Sequence, residues 1–203
     1  MFVLGLTGGI ASGKSAVSAM LSEMGFPIVD ADVISRRVAE KGSPVLESIK
    51  KEFGEGVLND DGTLNRKALG ILVFGSSDRL KKLNSLTHPA IVEEINKQIN
   101  YYIDRGDRLC VLDAPLLIES GINGIADRVL LVYVDSNTQM ERLMNRDGIT
   151  EELAMKKISS QMSFEEKRRY ADYIIDNTGS LMKTKEQLKA VVDSIKSLEE
   201  GNG

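Results

Sequence analysis

Five short runs of consecutive apolar residues punctuate this chain, and longer stretches with helical spacing separate them. The runs are Phe2-Val3-Leu4-Gly5-Leu6, Pro27-Ile28-Val29, Leu109-Cys110-Val111-Leu112, Val129-Leu130-Leu131-Val132-Tyr133-Val134 and Tyr173-Ile174-Ile175. Apolar side chains on consecutive positions, rather than alternate ones, mark strands covered on both faces. Between the first two runs, Ser15 to Met24 reads as a helix, with Val17, Met20 and Leu21 on one face. Alternating strands and helices predict a parallel sheet with right-handed crossovers, an α/β chain of three layers, αβα.

Two stretches exceed what a crossover needs. From Ala31 to Arg108 the pattern predicts several helices: Pro44 to Phe53, Arg66 to Val73, and Pro89 to Tyr102. The last carries Ile91, Ile95, Ile99 and Tyr102 as a stripe. A helical insert after the second strand suits a wall for a second substrate. From Ser136 to Ala171 the chain is helical and charged, with Arg142, Arg146, Lys156, Lys157, Lys167, Arg168 and Arg169. It reads either as a solvated helical hairpin or as a lid that closes cations over phosphates. The tail Gly201-Asn202-Gly203 reads as disordered.

Each of the last four predicted strands ends near an aspartate: Asp30, Asp113, Asp135 and Asp176. Ligands of open α/β sheets gather at the carboxyl ends of strands. Aspartate is also a favoured helix N-cap, so one or two of the four are expected to be caps alone.

The first strand runs into Gly8-Gly9-Ile10-Ala11-Ser12-Gly13-Lys14-Ser15, which fits G-x-x-x-x-G-K-[ST]. Glycines permit a tight loop whose N–H groups turn inward on a polyphosphate. Lys14 can reach the β- and γ-phosphates, and the Ser15 hydroxyl can hold Mg²⁺. The strand before and the helix after set the anion at a helix N-terminus, which favours negative charge. An ordinary glycine-rich turn with a surface lysine is the plain alternative.

Several other clusters carry candidate chemistry. Asp32 opens a helix after Asp30, and Arg36 lies one turn on. A carboxylate beside a γ-phosphate can orient an acceptor hydroxyl and take its proton; a cap with an i, i+4 ion pair is the competing reading. His88-Pro89 is expected to open the insert's long helix, with a structural or a hydrogen-bonding His88 equally open. Asp113, ending the central strand, stands where a phosphate-loop enzyme keeps the carboxylate that supports Mg²⁺. Glu119 faces the acceptor or caps a turn. Gln139, Arg142 and Arg146 share a helical face, and two arginines suit bidentate neutralisation of a transferring phosphoryl group.

Bulk properties narrow the classes. The 203 residues fit one elaborated domain, and the hydrophobic fraction of 42% and charged fraction of 28% are ordinary for a soluble fold. A net charge of −4 argues against a broad nucleic-acid face. The absence of Trp removes one stacking platform for single strands. No apolar run is long enough to span a membrane, and the N-terminal run lacks a charged leader. The one cysteine, Cys110, cannot form an internal disulfide and reads as a buried small apolar group in a reducing cytoplasm. No second His or Cys sits at zinc-ligand spacing. A GTP switch would need Asn-Lys-x-Asp, whereas Asn96-Lys97-Gln98-Ile99 falls in a helix. A nucleoside or nucleoside monophosphate kinase shares the core and stays open.

Taken together, the chain closely resembles the bacterial dephospho-coenzyme A kinase family nearly end to end. The resemblance is carried by Gly5-Leu6-Thr7-Gly8-Gly9-Ile10 through Ser15, by Asp30-Ala31-Asp32 with Arg36, and by His88-Pro89. It continues in Asp113-Ala114-Pro115-Leu116-Leu117-Ile118-Glu119, in Gln139, Arg142-Leu143 and Arg146, in Gln161, and in Ala171-Asp172-Tyr173-Ile174-Ile175-Asp176-Asn177-Thr178-Gly179. It implies a P-loop core over 1–30, 105–135 and 172–200, a coenzyme-A-binding insert over 31–104, and a lid over 136–171. The sheet would have five parallel strands.

The resemblance also implies the reaction: ATP phosphorylates the ribose 3′-hydroxyl of dephospho-coenzyme A, the last step of coenzyme A synthesis. Asp32 would be the base, with Lys14 and Arg142 catalytic. Gly8, Gly9, Ile10, Ala11, Ser12, Gly13, Lys14, Ser15, Ala16, Arg142, Arg146 and Asn177 would bind ATP. Thr7, Asp32, Arg36, His88, Leu116 and Glu119 would face the acceptor, and Ser15 and Asp113 would hold Mg²⁺. Three positions depart from the family: Ala11 for Gly, Ala16 for Thr, and Lys157 for Arg. A methyl at Ala11 is tolerable at negative φ, and positive φ would strain the loop. Ala16 removes a hydroxyl beside Ser15 and so weakens contact to the α-phosphate.

Overall fold

The computed structural model describes residues 1–73 and 75–201, the last three of these as backbone only. Strands β1 (Phe2–Gly8), β2 (Ile28–Asp30), β3 (Leu109–Asp113), β4 (Arg128–Tyr133) and β5 (Tyr173–Asp176) form one sheet in the order β2-β3-β1-β4-β5. Its pairing is parallel, with Leu4 opposite Val111 on one side and Arg128 on the other. Leu131 lies opposite Ile174. All five predicted strands are present.

Helices α1 (Lys14–Glu23) and α9 (Leu181–Gly201) supply the partners of one apolar cluster. Leu4, Leu6, Val111, Leu130, Val132 and Ile175 of the strands meet Val17, Leu21, Leu188, Val192 and Ile195 of those helices. On the opposite face Gly5 is required by close approach. A Cβ there would fall 2.7 Å from Leu117 Cδ2 and 2.9 Å from the Ala126 Cβ. Cys110 is fully buried in β3, as its apolar setting predicts. Because α9 runs through Gly201, only residues 202 and 203 of the expected disordered tail remain, and these lie outside the described residues.

The chain forms two compact units, one of Met1–Val29 with Tyr102–Gly203 and one of Asp30–Tyr101. The second holds α2 (Ala31–Val38), α3 (Pro44–Phe53), α4 (Arg66–Val73) and most of α5 (Ser77–Asp104). It has its own core of Ala39, Ile49, Val57, Leu69 and Val73. Asp30 caps α2 by accepting from the Val33 N–H at 2.9 Å, and Ser43 caps α3 with Pro44 in the first turn.

Helix α5 corrects the expectation of a helix opening at His88-Pro89. It begins at Ser77 and carries Pro89 inside. Proline lacks only its own N–H, so one backbone bond is lost. Packing holds both sides of the gap: Leu83 before it sits against the second core, and Ile95 and Ile99 after it are buried. Half-buried His88 is therefore mid-helix, and the reading of it at a helix N-terminus does not apply.

The remaining helices, α6 (Ser136–Asp147), α7 (Glu151–Ser159) and α8 (Phe164–Arg168), occupy the charged stretch. Asp135 caps α6, accepting from the Asn137 and Thr138 N–H groups at 3.0 Å. Thr150 and Ser163 cap α7 and α8, the latter as a reciprocal capping box with Glu166. Among the described residues no helix is long and apolar enough to cross a membrane.

Candidate active site

Strand β1 delivers the chain into the Gly8–Ser15 loop, and α1 begins at Lys14, with its free N–H groups at the loop. Each glycine of the loop has a structural reason. A Cβ on Gly8 would meet the Ser12 Oγ at 2.5 Å, and one on Gly9 would meet Gln139 Nε2 at 3.0 Å and Phe164 Cζ at 3.1 Å. Gly13 has φ +87° and caps α1 in the left-handed region, and a Cβ there would overlap the Asn177 carboxamide.

Ala11 stands at φ +58°, the one non-glycine with positive φ among the described residues. The strained alternative for this position is thus the one realised. The methyl raises the energy of a conformation that glycine would adopt freely.

Lys14 donates to Asp113 Oδ1 at the end of β3, with side chains only 16% and 8% exposed. The loop lysine and the strand-end carboxylate are therefore one ion-paired unit. The Arg142 Nη1 lies 3.9 Å from the position a Gly13 Cβ would take, so this arginine of α6 is at the loop. Arg146, one turn on, points its guanidinium at Asp147, 2.8 Å from Nε to Oδ1. Lys157 reaches the same carboxylate at 2.7 Å. Hydrogen bonds from Arg146 and then Lys157 hold the Asp147 carboxyl down at about 2. Arg142 and Arg146 thus share a helix, but only Arg142 stands beside the loop.

Asn177 follows β5, where a nucleotide-binding role is expected. Its Nδ2 donates to the Ser12 carbonyl at 2.8 Å, and its Oδ1 accepts from the Thr184 Oγ1 at 2.8 Å. With Asn177 3% exposed and Thr184 buried, these bonds tie β5 and α9 to the phosphate loop. The Ser12 Oγ is buried without a hydrogen-bond partner.

The four strand-end aspartates divide by environment. Asp30 and Asp135 are helix caps, and Asp176 accepts from the Thr178 N–H in a turn at 2.8 Å. The Thr138 hydroxyl is the main cause holding the Asp135 carboxyl below its usual range. Asp113 alone faces the loop lysine.

A second network was not legible from spacing. Lys167 of α8 is fully buried, and its Nζ lies 2.8 Å from Glu119 Oε1 and 3.1 Å from the Pro115 carbonyl. Buried Thr7 donates to the same carbonyl at 3.0 Å. Neither a solvated lysine nor a cation held over phosphates describes Lys167: burial of a charge demands a partner, and Glu119 is that partner. Leu116, between them, is 49% exposed. Phe164 packs edge-on to Tyr133, ring centroids 5.1 Å apart. Glu119, Thr7 and Leu116 were acceptor-side candidates and Lys167 one cation of the charged stretch, whereas Phe164 and Thr184 gave no signal in the sequence.

The acceptor-side candidates Asp32, Arg36 and His88 lie in the Asp30–Tyr101 unit. Asp32 and Arg36 are exposed, in the first and last turns of α2. The Arg36 carbonyl accepts from Arg66 Nη2 at 3.2 Å. Burial, and then the neighbouring Arg36 charge, lower the Arg66 guanidinium.

Among the described residues no three His, Cys, Asp or Glu side chains gather as a cation cage. Ser15 and Asp113 offer one hydroxyl and one carboxylate. That donor set fits a magnesium ion held mainly by substrate phosphates and water, as Mg²⁺ commonly is in kinases.

A family model described as dephospho-CoA kinase matches residues 2–183 of this chain. A dephospho-CoA kinase of Bacillus cereus is 50% identical over 190 residues, covering 94% of this chain and 95% of that protein. The crystal structure of TT1252 from Thermus thermophilus superposes with a TM-score of 0.83 at 35% identity, over 95% of this chain and 97% of the other. A dephospho-CoA kinase from Campylobacter jejuni gives a TM-score of 0.70 at 30% identity, over 99% and 98%. The chain belongs to the dephospho-CoA kinase family.

Proposed function

We propose that the Gly8–Ser15 loop and Asp32 perform the reaction for which this family is named. ATP phosphorylates dephospho-CoA on its ribose 3′-hydroxyl, giving coenzyme A and ADP. The observation that carries the reading is the Lys14–Asp113 unit beside Arg142, set at a phosphate loop, in a chain 50% identical to a dephospho-CoA kinase over 94% of its length.

Loop N–H groups and Lys14 hold the β- and γ-phosphates of ATP. Magnesium, when bound, neutralises charge on the β- and γ-oxygens. Ser15 and Asp113 are the residues that would hold it. Asp32 orients the 3′-hydroxyl and takes its proton as the new P–O bond forms and the bond to ADP breaks. Arg142 neutralises charge on the transferring group, and Arg146 joins it once released from Asp147. The chain's contribution is positioning and electrostatics. The segment 136–171 acts as a lid, since water left in the site would hydrolyse ATP. The acceptor-side candidates are Thr7, Leu116 and Glu119 in the first unit and Arg36 and His88 in the second. The domain division is a core of 1–30, 105–135 and 172–200, an insert of 31–104 and that lid. The enzyme works in the cytoplasm.

Asp32→Asn tests the base. Turnover falls by at least about 100-fold, the usual range for a lost general base, while binding of a non-hydrolysable ATP analogue persists. Turnover close to that of the unsubstituted chain removes Asp32 from this role.

A further inference from the structure

Ile10 is held from both sides by glutamines distant in sequence. Gln161, between α7 and α8, accepts from the Ile10 N–H at 2.9 Å. Gln139, on α6, donates from Nε2 to the Ile10 carbonyl at 2.8 Å. Gln139 is 5% exposed, and its amide also abuts the bare Cα of Gly9.

These two bonds fix two different peptide planes. The Ile10 N–H belongs to the plane shared with Gly9, and the Ile10 carbonyl to the plane shared with Ala11. Orientation of the second plane sets the φ of Ala11, which stands at +58°. An alanine leaves that region readily, because its methyl crowds the neighbouring carbonyl there. A fixed donor on the Ile10 carbonyl opposes the escape.

We propose that Gln139 and Gln161 are positioning residues for nucleotide binding. They act through the Ile10 peptides to hold the phosphate loop open around a left-handed Ala11, and they make the loop's shape depend on the order of the 136–168 helices. Gly9 is the complement of this arrangement, since any side chain there would displace Gln139 and Phe164. The inference rests on the reading of residues 8–15 as the ATP phosphate site and adds the residues that shape it.

The two roles need opposite halves of the carboxamide, an acceptor at 161 and a donor at 139. Methionine keeps length and flexibility and offers neither. Gln139→Met raises the Kd of a non-hydrolysable ATP analogue with Mg²⁺ about tenfold, the equivalent of one hydrogen bond. KM for ATP rises with it, and kcat at saturating ATP changes less. In an Ala11→Gly background the left-handed conformation has no methyl to oppose it, so the same substitution raises Kd less than about threefold. Gln161→Met, at a half-buried position, frees the Gly9–Ile10 plane instead and raises the same Kd severalfold whether residue 11 is alanine or glycine, which keeps a test in hand should the buried 139 site not tolerate the change.

Equal effects of Gln139→Met with and without the Ala11→Gly substitution, or unchanged analogue binding in Gln139→Met and Gln161→Met, overturn the inference and leave the phosphate site intact. An unsubstituted chain that does not bind the analogue overturns the phosphate site itself. No acceptor substrate enters the binding measurement, so the identity of the acceptor does not bear on it.

Discussion

The Lys14 ammonium is paired with the Asp113 carboxylate, joining the start of α1 to the end of β3. Both side chains are mostly buried, so each charge depends on the other. Lys14→Met leaves Asp113 buried and unpaired, and should destabilise the nucleotide-free chain by about 2 kcal/mol. Denaturant unfolding checks this. Lys14→Met with Asp113→Leu should recover most of the loss, whereas additive losses would show that the pair is not coupled.

Ala11→Gly should stabilise the chain by about 1 kcal/mol, as the relief of a left-handed alanine exceeds the added entropy of an unfolded glycine. The midpoint of urea unfolding rises with an unchanged slope. A fall in the midpoint would mean that Ala11 is not strained.

Lys167→Met leaves Glu119 and the Pro115 carbonyl without their cation, and should cost about 3 kcal/mol. Glu119→Leu in the same chain should restore at least half of that. Thermal unfolding of the single and double variants reads both. A loss under about 0.5 kcal/mol for Lys167→Met, the level of a surface substitution, would place Lys167 in solvent.

Burial, aided by the Asp107 and Asp127 charges, pushes the Cys110 thiol from 9.0 to about 11. A group whose folded value is raised contributes stability that is complete below pH 9.0 and is lost as pH rises through about 11. Unfolding at pH 8 through 11 should therefore show a decline that is shallower in Cys110→Ala. The folded thiol should also resist a maleimide at pH 8 and react once the chain is unfolded. Rapid labelling of the folded chain would contradict its burial.

The sheet was legible because its central strands β1, β3 and β4 are buried on consecutive positions and so are written as unbroken apolar runs, a pattern the edge strand β5 keeps in sequence although Ile174 is exposed. The phosphate loop was legible because its glycines and Lys14 answer to backbone geometry and charge that no other residues satisfy. Helix α5 was misread at its start because a proline is a local signal, and the packing of Leu83, Ile95 and Ile99 on either side of Pro89 is not. The buried ion pair of Lys167 was not legible for a similar reason. Its neighbours in sequence are charged, and only the tertiary partner Glu119 explains its burial. Of the aspartates at strand ends, position alone could not separate the caps Asp30 and Asp135 from Asp113. The difference lies in which N–H or ammonium each one meets. The φ of Ala11 depends on neighbours from α6 and beyond α7, which no local pattern encodes.

Release of ADP from ATP and Mg²⁺, measured by a coupled assay with and without dephospho-CoA, is the most direct test of the function. ADP should form in proportion to added dephospho-CoA, with coenzyme A as the other product, and only slowly without it. ADP release that is equal in both conditions, or that responds to nucleosides and not to dephospho-CoA, would contradict the account.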